Sequence, residues 1–392
     1  MSTAVADLSS LPAPAPDAQA HSERLIARIC AEIDAGCGWL GFDRYMELAL
    51  YAPGLGYYAA GARKFGEQGD FVTAPEISPL FSRALARQVA EVLRGTGGDV
   101  LEVGGGSGAM AADVLLELEA LGALPAQYCI LELSAELQVR QRDTLAAKAP
   151  HLLERVCWLN TLPEEGFRGV VLANELLDAL PVQRFVKTEK GAQARGVRFV
   201  DGRFHWATAV ETLAVPEHLA ALFDALPEGY VSEFCPAAAG WVRSIASMLE
   251  QGVVLLIDYG YAAAEYYHPR REGGTLMCHY RHRAHPDPFV YPGLQDITAH
   301  VDFTAIAEAA VDAGLAVRGY NSQGFFLMAC GITGLAQDHD ALDERQQVMQ
   351  AQQLRQLTLP AEMGERFRVI ALARDYEAPL RGFALQDLRH QL

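Results

Sequence analysis

With 392 residues, 51% of them hydrophobic and 21% charged, the chain is long enough for two or three domains or one elaborated α/β domain. No apolar run approaches the roughly 20 residues that cross a bilayer, so membrane insertion is not expected. The net charge of −17 disfavours non-specific nucleic-acid binding, which needs a basic face, and suits a basic protein partner or plain solubility.

The first 20 residues are rich in Ala, Pro and Ser. They lack the basic start and apolar stretch of a secretory signal and the arginines of a mitochondrial presequence, so residues 1–21 read as a disordered tail on a cytoplasmic protein. Ser22 is placed to cap a helix through Leu25, Ile26, Ile29 and Ile33, and a second helix runs through Tyr45, Met46, Leu48, Ala49 and Leu50. Gly61 to Pro79 reads as loop, yet it carries Asp70, Phe71, Thr73 and Glu76 and is too aromatic for a linker; such a segment ahead of a strand is commonly functional. A helix from Leu80 to Arg94 follows.

Val100 to Gly108 then read V-L-E-V-G-G-G-S-G, a short apolar strand broken by three glycines, and helical spacing resumes at Ala109. A strand, a glycine turn and a helix let backbone approach a nucleotide closely. Gly104, Gly106 and Gly108 fit the G-x-G-x-G of S-adenosylmethionine loops; Gly104, Gly106 and Ala109 also fit the dinucleotide fingerprint. Glu102 favours the first, because a carboxylate there attracts an ammonium and repels a pyrophosphate.

Strands at Tyr128–Leu133, Arg155–Leu159, Gly169–Asn174 and Gly252–Gly260, with helices at Ser134–Lys148 and Ala237–Leu249, alternate as in a doubly wound fold. Between the fourth and fifth strands, Gln183–Thr188, Ala194–Val200 and Arg203–Ala207 suggest an antiparallel β insertion with a hairpin turn at Asp201-Gly202. Tyr261 to His300 is loop-rich and could lie over the site. The organisation expected is a tail (1–21), N-terminal helices with an active-site loop (22–95), an α/β core (96–182 and 229–392) and a β-rich insertion (183–228).

Several side chains are placed for chemistry. Glu132 ends the second strand 28 positions after Gly104, where an acid accepts hydrogen bonds from ribose hydroxyls. Asn160, after the third strand, could contact an adenine. Asn174 and Glu175 end the fourth strand, which should face a transferred group; Asp178 more readily caps a short helix. Asp258-Tyr259-Gly260-Tyr261 could wall a slot for a methyl sulfonium, although core packing explains the aromatics nearly as well. Cys278-His279-x-x-His282-x-x-His285 gives no usual zinc spacing, so no metal is expected and a substrate-facing loop is favoured. The seven cysteines are odd in number, without C-x-x-C, and read as free thiols in a reducing compartment.

Gly69-Asp70-Phe71-Val72-Thr73-Ala74-Pro75-Glu76-Ile77-Ser78-Pro79, with Leu101 to Gly108, Asn174 to Val182, Ile257 to Tyr261, Asp296 to Phe303 and Met363 to Phe367, closely resembles the MidA-like methyltransferases. This class I family includes the mitochondrial assembly factor of respiratory complex I. The resemblance implies a Rossmann-like class I methyltransferase fold, S-adenosyl-L-methionine as cofactor, and methylation of a protein arginine, on a complex I-type subunit in the mitochondrial relative. With no transit peptide in the sequence, a bacterial member is expected, its target protein and oligomeric state left open and a homodimer included. The cofactor-binding set is then Asp70, Phe71, Glu102, Gly104, Gly106, Gly108 and Glu132. Glu175 and Glu233, with Asn174, are the catalytic candidates, the two acids being expected to converge on a guanidinium, and Glu76 is a third acid. Cys235 stands where the family pattern has serine, which weakens that position as a donor. A non-catalytic docking module and an NAD-dependent oxidoreductase remain as alternatives.

Overall fold

The computed structural model describes residues 11–59, 72–337 and 343–392. Its first helix, α1 (Pro16–Ala35), begins before Ser22 and so shortens the expected tail. Proline is well tolerated in a first turn, where its missing N–H would have no partner. Ser22 is no cap: it lies in the buried stripe with Leu25, Ile29 and Ile33, and its hydroxyl donates to the Pro292 carbonyl at 2.8 Å. Next come β1 (Leu40–Gly41), α2 (Phe42–Tyr51), α3 (Ala74–Ile77) and α4 (Pro79–Thr96). Ser78 caps α4 by accepting the Leu80 N–H, and Gly97 ends it at φ +61°.

The core then alternates through β2 (Asp99–Val103), α5 (Ala109–Ala120), β3 (Tyr128–Leu131), α6 (Ala135–Lys148), β4 (Val156–Leu159) and β5 (Phe167–Asn174). The insertion holds β6 (Gln183–Thr188), β7 (Gly191–Val200), β8 (Arg203–Thr212), α7 (Glu217–Ala225) and β9 (Val231–Phe234). Asp201 and Gly202, at φ +50° and +77°, make the hairpin turn between β7 and β8. The inserted unit is larger than residues 183–228, because β9 pairs with β6 and β1 pairs with β7 through Leu40 and Val197.

After it come α8 (Pro236–Met248), β10 (Leu249–Tyr261), α9 (Ala263–Tyr266), β11 (Met277–Tyr280), β12 (Arg283–His285), β13 (Asp296–Thr298) and β14 (Val301–Asp302). The described chain continues through α10 (Phe303–Asp312), β15 (Ala316–Ser322), α11 (Gln323–Ala329), α12 (Ile332–Leu335), α13 (Glu344–Thr358) and β16 (Phe367–Arg374). The loop-rich stretch of the sequence thus contains a small antiparallel sheet, ordered β12-β11-β13.

The main sheet runs β4-β3-β2-β5-β10-β16-β15, with β16 antiparallel to both its neighbours and β4, β3, β2, β5 and β10 mutually parallel. This is the Rossmann-like class I arrangement that the resemblance implied. Strand order reverses beside β2, and ligands of open parallel sheets bind beyond the carboxyl ends at that point. Both faces are covered, which explains the unbroken apolar runs. Val170, Leu172, Val253, Leu255 and Ile257 pack with α4 and α5, whereas Val171, Ala173, Val254 and Leu256 pack with α8 and α10.

Not all cysteines stay free. Cys129 and Cys157, directly opposed on β3 and β4, are joined as a disulfide with their Cα atoms 4.7 Å apart. Neighbouring strands bring together two thiols that no local motif links. Of the free thiols, Cys278 and Cys330 are buried and Cys37 is exposed.

Leu255 is fully buried between β5 and β16. Leu255→Ala is expected to cost about 3 kcal/mol through lost burial and a residual cavity. Denaturant titration should show a lower midpoint with an unchanged slope.

Candidate active site

A cavity of about 720 Å³ opens where β2, β3, β4 and β5 end, within the size range of small-molecule sites. At one end lies the glycine loop, with Gly104, Gly106 and Gly108 at φ +74°, +52° and +83°. A Cβ built on Gly106 meets nothing within 4 Å, so this backbone borders open space, whereas one on Gly108 comes within 2.9 Å of Gln141 Cα. Leu131, Leu133 and Leu137 give this end an apolar wall, and α5 begins at it with Ala109 and Met110.

Two acids flank the loop. Glu102 is 1% exposed and its Oε2 accepts the Tyr128 hydroxyl at 2.7 Å. Burial pushes its pKa up to about 7; the Tyr128 hydrogen bond opposes this and the charge of Glu132 adds to it. Glu132 accepts the Ser134 N–H at 2.9 Å on Oε1 and the Gln141 amide at 3.1 Å on Oε2. Asn160 lines the same end and accepts from Gln138 at 3.0 Å.

The other end is built on the turn after β5. Glu175 sits at φ +52°, a conformation uncommon for a residue with a side chain and often found at functional sites. Its carboxylate accepts from the Asn174 amide at 3.1 Å, the Tyr259 hydroxyl at 3.1 Å and the Ala74 N–H at 3.4 Å. Burial nonetheless pushes it up to about 7, against those hydrogen bonds. Asn174 Oδ1 is buried without a hydrogen-bond partner among the described residues. Asp178, Asp296, His279 and Tyr58 complete this wall. Tyr58 donates to Asp296 at 3.0 Å, and burial holds His279 down to about 4, a neutral ring at physiological pH.

Asp258 holds the turn together. Its Oδ2 accepts the N–H groups of Leu176, Leu177 and Asp178 at 3.2, 2.8 and 3.3 Å, and its Oδ1 that of Tyr259 at 2.9 Å. Burial raises both Asp258, to about 8, and Asp178; the backbone donors oppose the rise on Asp258, so it is the first of the pair to give up its proton. No helix forms at 175–180, so the capping expected of Asp178 is carried out by Asp258 instead.

The sequence candidates therefore divide. Glu102, Gly104, Gly106, Glu132, Asn160, Asn174, Glu175, Tyr259 and Glu76 share the cavity. Gly108 stands behind the loop against α6. Glu233 does not join them: it is fully buried on β9, accepts from Thr275 and Tyr266, and pairs with Arg184 at 3.8 Å. The acids gathered near Glu175 are Asp178, Asp258 and Asp296. Asp70 and Phe71 lie outside the described residues, while Thr73, Pro75 and Glu76 of the same segment line the cavity. Cys235 precedes α8 without capping it and donates to the Pro181 carbonyl at 3.4 Å. Tyr261 is not a cavity residue: Arg271 lies over its ring at 4.0 Å. His279 lines the cavity, but Cys278 and His285 are fully buried. Gln141 gave no sequence signal at all.

Comparison with known proteins agrees with this geometry. Residues 84–321 match a family model described as "Putative S-adenosyl-L-methionine-dependent methyltransferase". A protein from Burkholderia thailandensis, solved bound to S-adenosyl-homocysteine, is 50% identical, with a TM-score of 0.93 over 98% of this chain and 100% of its own. The mitochondrial protein arginine methyltransferase NDUFAF7 of Mus musculus is 30% identical over 84% of this chain and 79% of its length. Its Drosophila melanogaster homologue is 30% identical over 84% and 80%. The chain belongs to the MidA-like S-adenosyl-L-methionine-dependent methyltransferases.

The residues present fit this family's cofactor. Gly106 offers bare backbone to open space, Glu102 a carboxylate for an ammonium, and Glu132 one for ribose hydroxyls, beside an apolar wall. Among the described residues no helix is long and apolar enough to cross a membrane.

Gly106 and Gly122 share nearly the same backbone, φ +52° and +60°, and a Cβ meets nothing within 4 Å at either. Alanine costs both about 1 kcal/mol of left-handed strain, but only Gly106 borders the cavity. Calorimetry should show S-adenosyl-homocysteine affinity falling at least tenfold in Gly106→Ala and holding in Gly122→Ala, with similar melting temperatures.

Proposed function

We propose that this methyltransferase acts on a guanidinium nitrogen of an arginine presented by a protein, a complex I-type subunit being the candidate suggested by its relatives. The observation that carries the reading is the wall opposite the glycine loop, where Glu175, Asp178 and Asp296 stand beside Asn174, whose Oδ1 is buried without a partner among the described residues. Every polar atom of a guanidinium is a donor, and its planar fork is best held by carboxylates and carbonyls. The names of the curated relatives support the same substrate class.

S-adenosyl-L-methionine supplies the methyl group as a sulfonium-bound electrophile. The protein positions and polarises the acceptor. Glu175 binds the guanidinium, localises electron density on one nitrogen and takes the proton released when that nitrogen gains its methyl group. Asn174 Oδ1 accepts a second N–H and fixes the rotation of the plane. Tyr259, donating to Glu175 while its ring packs on Phe367 at a centroid distance of 4.0 Å, holds the carboxylate in place. Glu233, outside the cavity, supports the wall from behind.

The pH dependence follows in sign. A carboxyl raised to about 7 is protonated below that pH and can neither pair with a cation nor accept a proton. At saturating S-adenosyl-L-methionine, kcat/KM for the acceptor should rise through pH 7 and level above it. Glu175→Gln should keep cofactor affinity, lose this limb and slow turnover at least 100-fold, about 3 kcal/mol in barrier. The assay is methyl incorporation into co-purifying protein, with mass spectrometry of the modified residue. Modified lysine, a small-molecule product, or full activity in the Gln variant would overturn the reading.

A further inference from the structure

We infer that Gln141 is a positioning residue of the cofactor end, fixing the Glu132 carboxylate and the turn of the glycine loop at one separation. It projects from α6 and is fully buried. Its Nε2 donates to the Gly106 carbonyl at 3.1 Å and to Glu132 Oε2 at 3.1 Å, and its Oε1 accepts the Trp158 indole N–H at 2.9 Å. Indole nitrogen is only a donor, so the Trp158 bond decides which end of the amide is oxygen and aims the two N–H groups at their partners. One side chain thus ties the loop after β2, the acid after β3 and the strand β4. The fit is tight: a Cβ on Gly108 would come within 2.9 Å of Gln141 Cα.

Two consequences follow. Glu132 is 8% exposed, and a carboxylate that far from water needs donors to hold it in one rotamer. Ser134 supplies one donor to Oε1 and Gln141 another to Oε2. In addition, Gly106 is a loop residue that borders the cavity with bare backbone, and its carbonyl is held by the same amide. Removing the amide releases the two groups together, so the loss falls on cofactor affinity and not on the acceptor wall.

The inference rests on Glu132 as the ribose acid and not on the acceptor's identity. The test is calorimetric titration of the full chain with S-adenosyl-homocysteine at pH 8 and pH 6, every variant expressed as a ratio to the parent at the same pH. Glu132→Gln examines the underlying reading: parent affinity there removes Glu132 from the site, while a loss of tenfold or more keeps it. Gln141→Glu keeps the shape but sets a carboxylate against Glu132 and the Gly106 carbonyl. It should weaken binding about 30-fold at pH 8 and less than fivefold at pH 6, because a proton shared by the two carboxyls restores a donor. Gln141→Leu, which has nothing to protonate, should lose about tenfold at both pH values. Trp158→Phe, which leaves Gln141 in place but frees its amide to turn, should lose threefold or more; it decides the matter if Gln141→Glu does not fold. Parent affinity in Gln141→Leu and Trp158→Phe overturns the inference, as does a Gln141→Glu penalty that is the same at both pH values.

Discussion

The carboxylate of Asp258 accepts three consecutive backbone N–H groups from the chain leaving β5 and a fourth from Tyr259. Those bonds turn the backbone sharply at the carboxyl edge of the sheet, and Glu175 takes a left-handed conformation as part of the turn. Strain of this kind, of order 1–3 kcal/mol, persists only where surrounding structure over-determines it. Four donors on one buried acid, with the Glu175 N–H held by the Ile257 carbonyl at 2.9 Å, do so here. The turn directs Asn174 and Glu175 into the cavity and seats Asp178 beside Asp258. The wall that carries Glu175 is thus a backbone device first and a set of acids second.

The two ends of the cavity meet the same electrostatic difficulty, that of keeping acids available away from water. Glu102 and Glu175 each carry a pKa near 7 in the free chain, burial being the largest cause in both. Such groups share protons with solvent near neutral pH and ionise fully once a cation arrives. In the unliganded chain the site thereby avoids the full cost of several buried like charges. The neutral His279 on the same wall adds no competing positive charge.

Much of the architecture is legible along the chain because its causes are local. Apolar runs such as Val170–Ala173 announce a strand covered on both faces, and the glycine run at 104–108 announces the loop. What is not legible depends on distant partners. Glu175 and Glu233 give the same local signal, an acid after an apolar segment, yet one faces a cavity and the other closes a buried network with Arg184 and Thr275. Gln141 looks like any polar residue of a surface helix, and its role arises only when Trp158 and the glycine loop meet it. Cys129 and Cys157, 28 residues apart, are paired by strand register. At the N-terminus the alanine and proline content conceals that Pro16 is well suited to open a helix.

Glu233 nevertheless bears on the Glu175 wall through a chain of contacts. Thr275, which donates its hydroxyl to Glu233 at 2.8 Å, also accepts the His300 N–H at 2.9 Å on that oxygen. Next to His300, the Ala299 N–H donates to the Asp178 carbonyl at 2.9 Å, and just before it β13 carries Asp296 and Thr298, both cavity residues. Arg184 on β6, pairing with Glu233, draws the inserted sheet into the same assembly. The insertion therefore acts as a buttress: it holds β13 across from the turn after β5, so that Asp296 comes from a different sheet than Glu175. The cavity wall is therefore drawn from two sheets joined through the Ala299–Asp178 bond, β13 supplying Asp296 and the turn after β5 supplying Asn174 and Glu175.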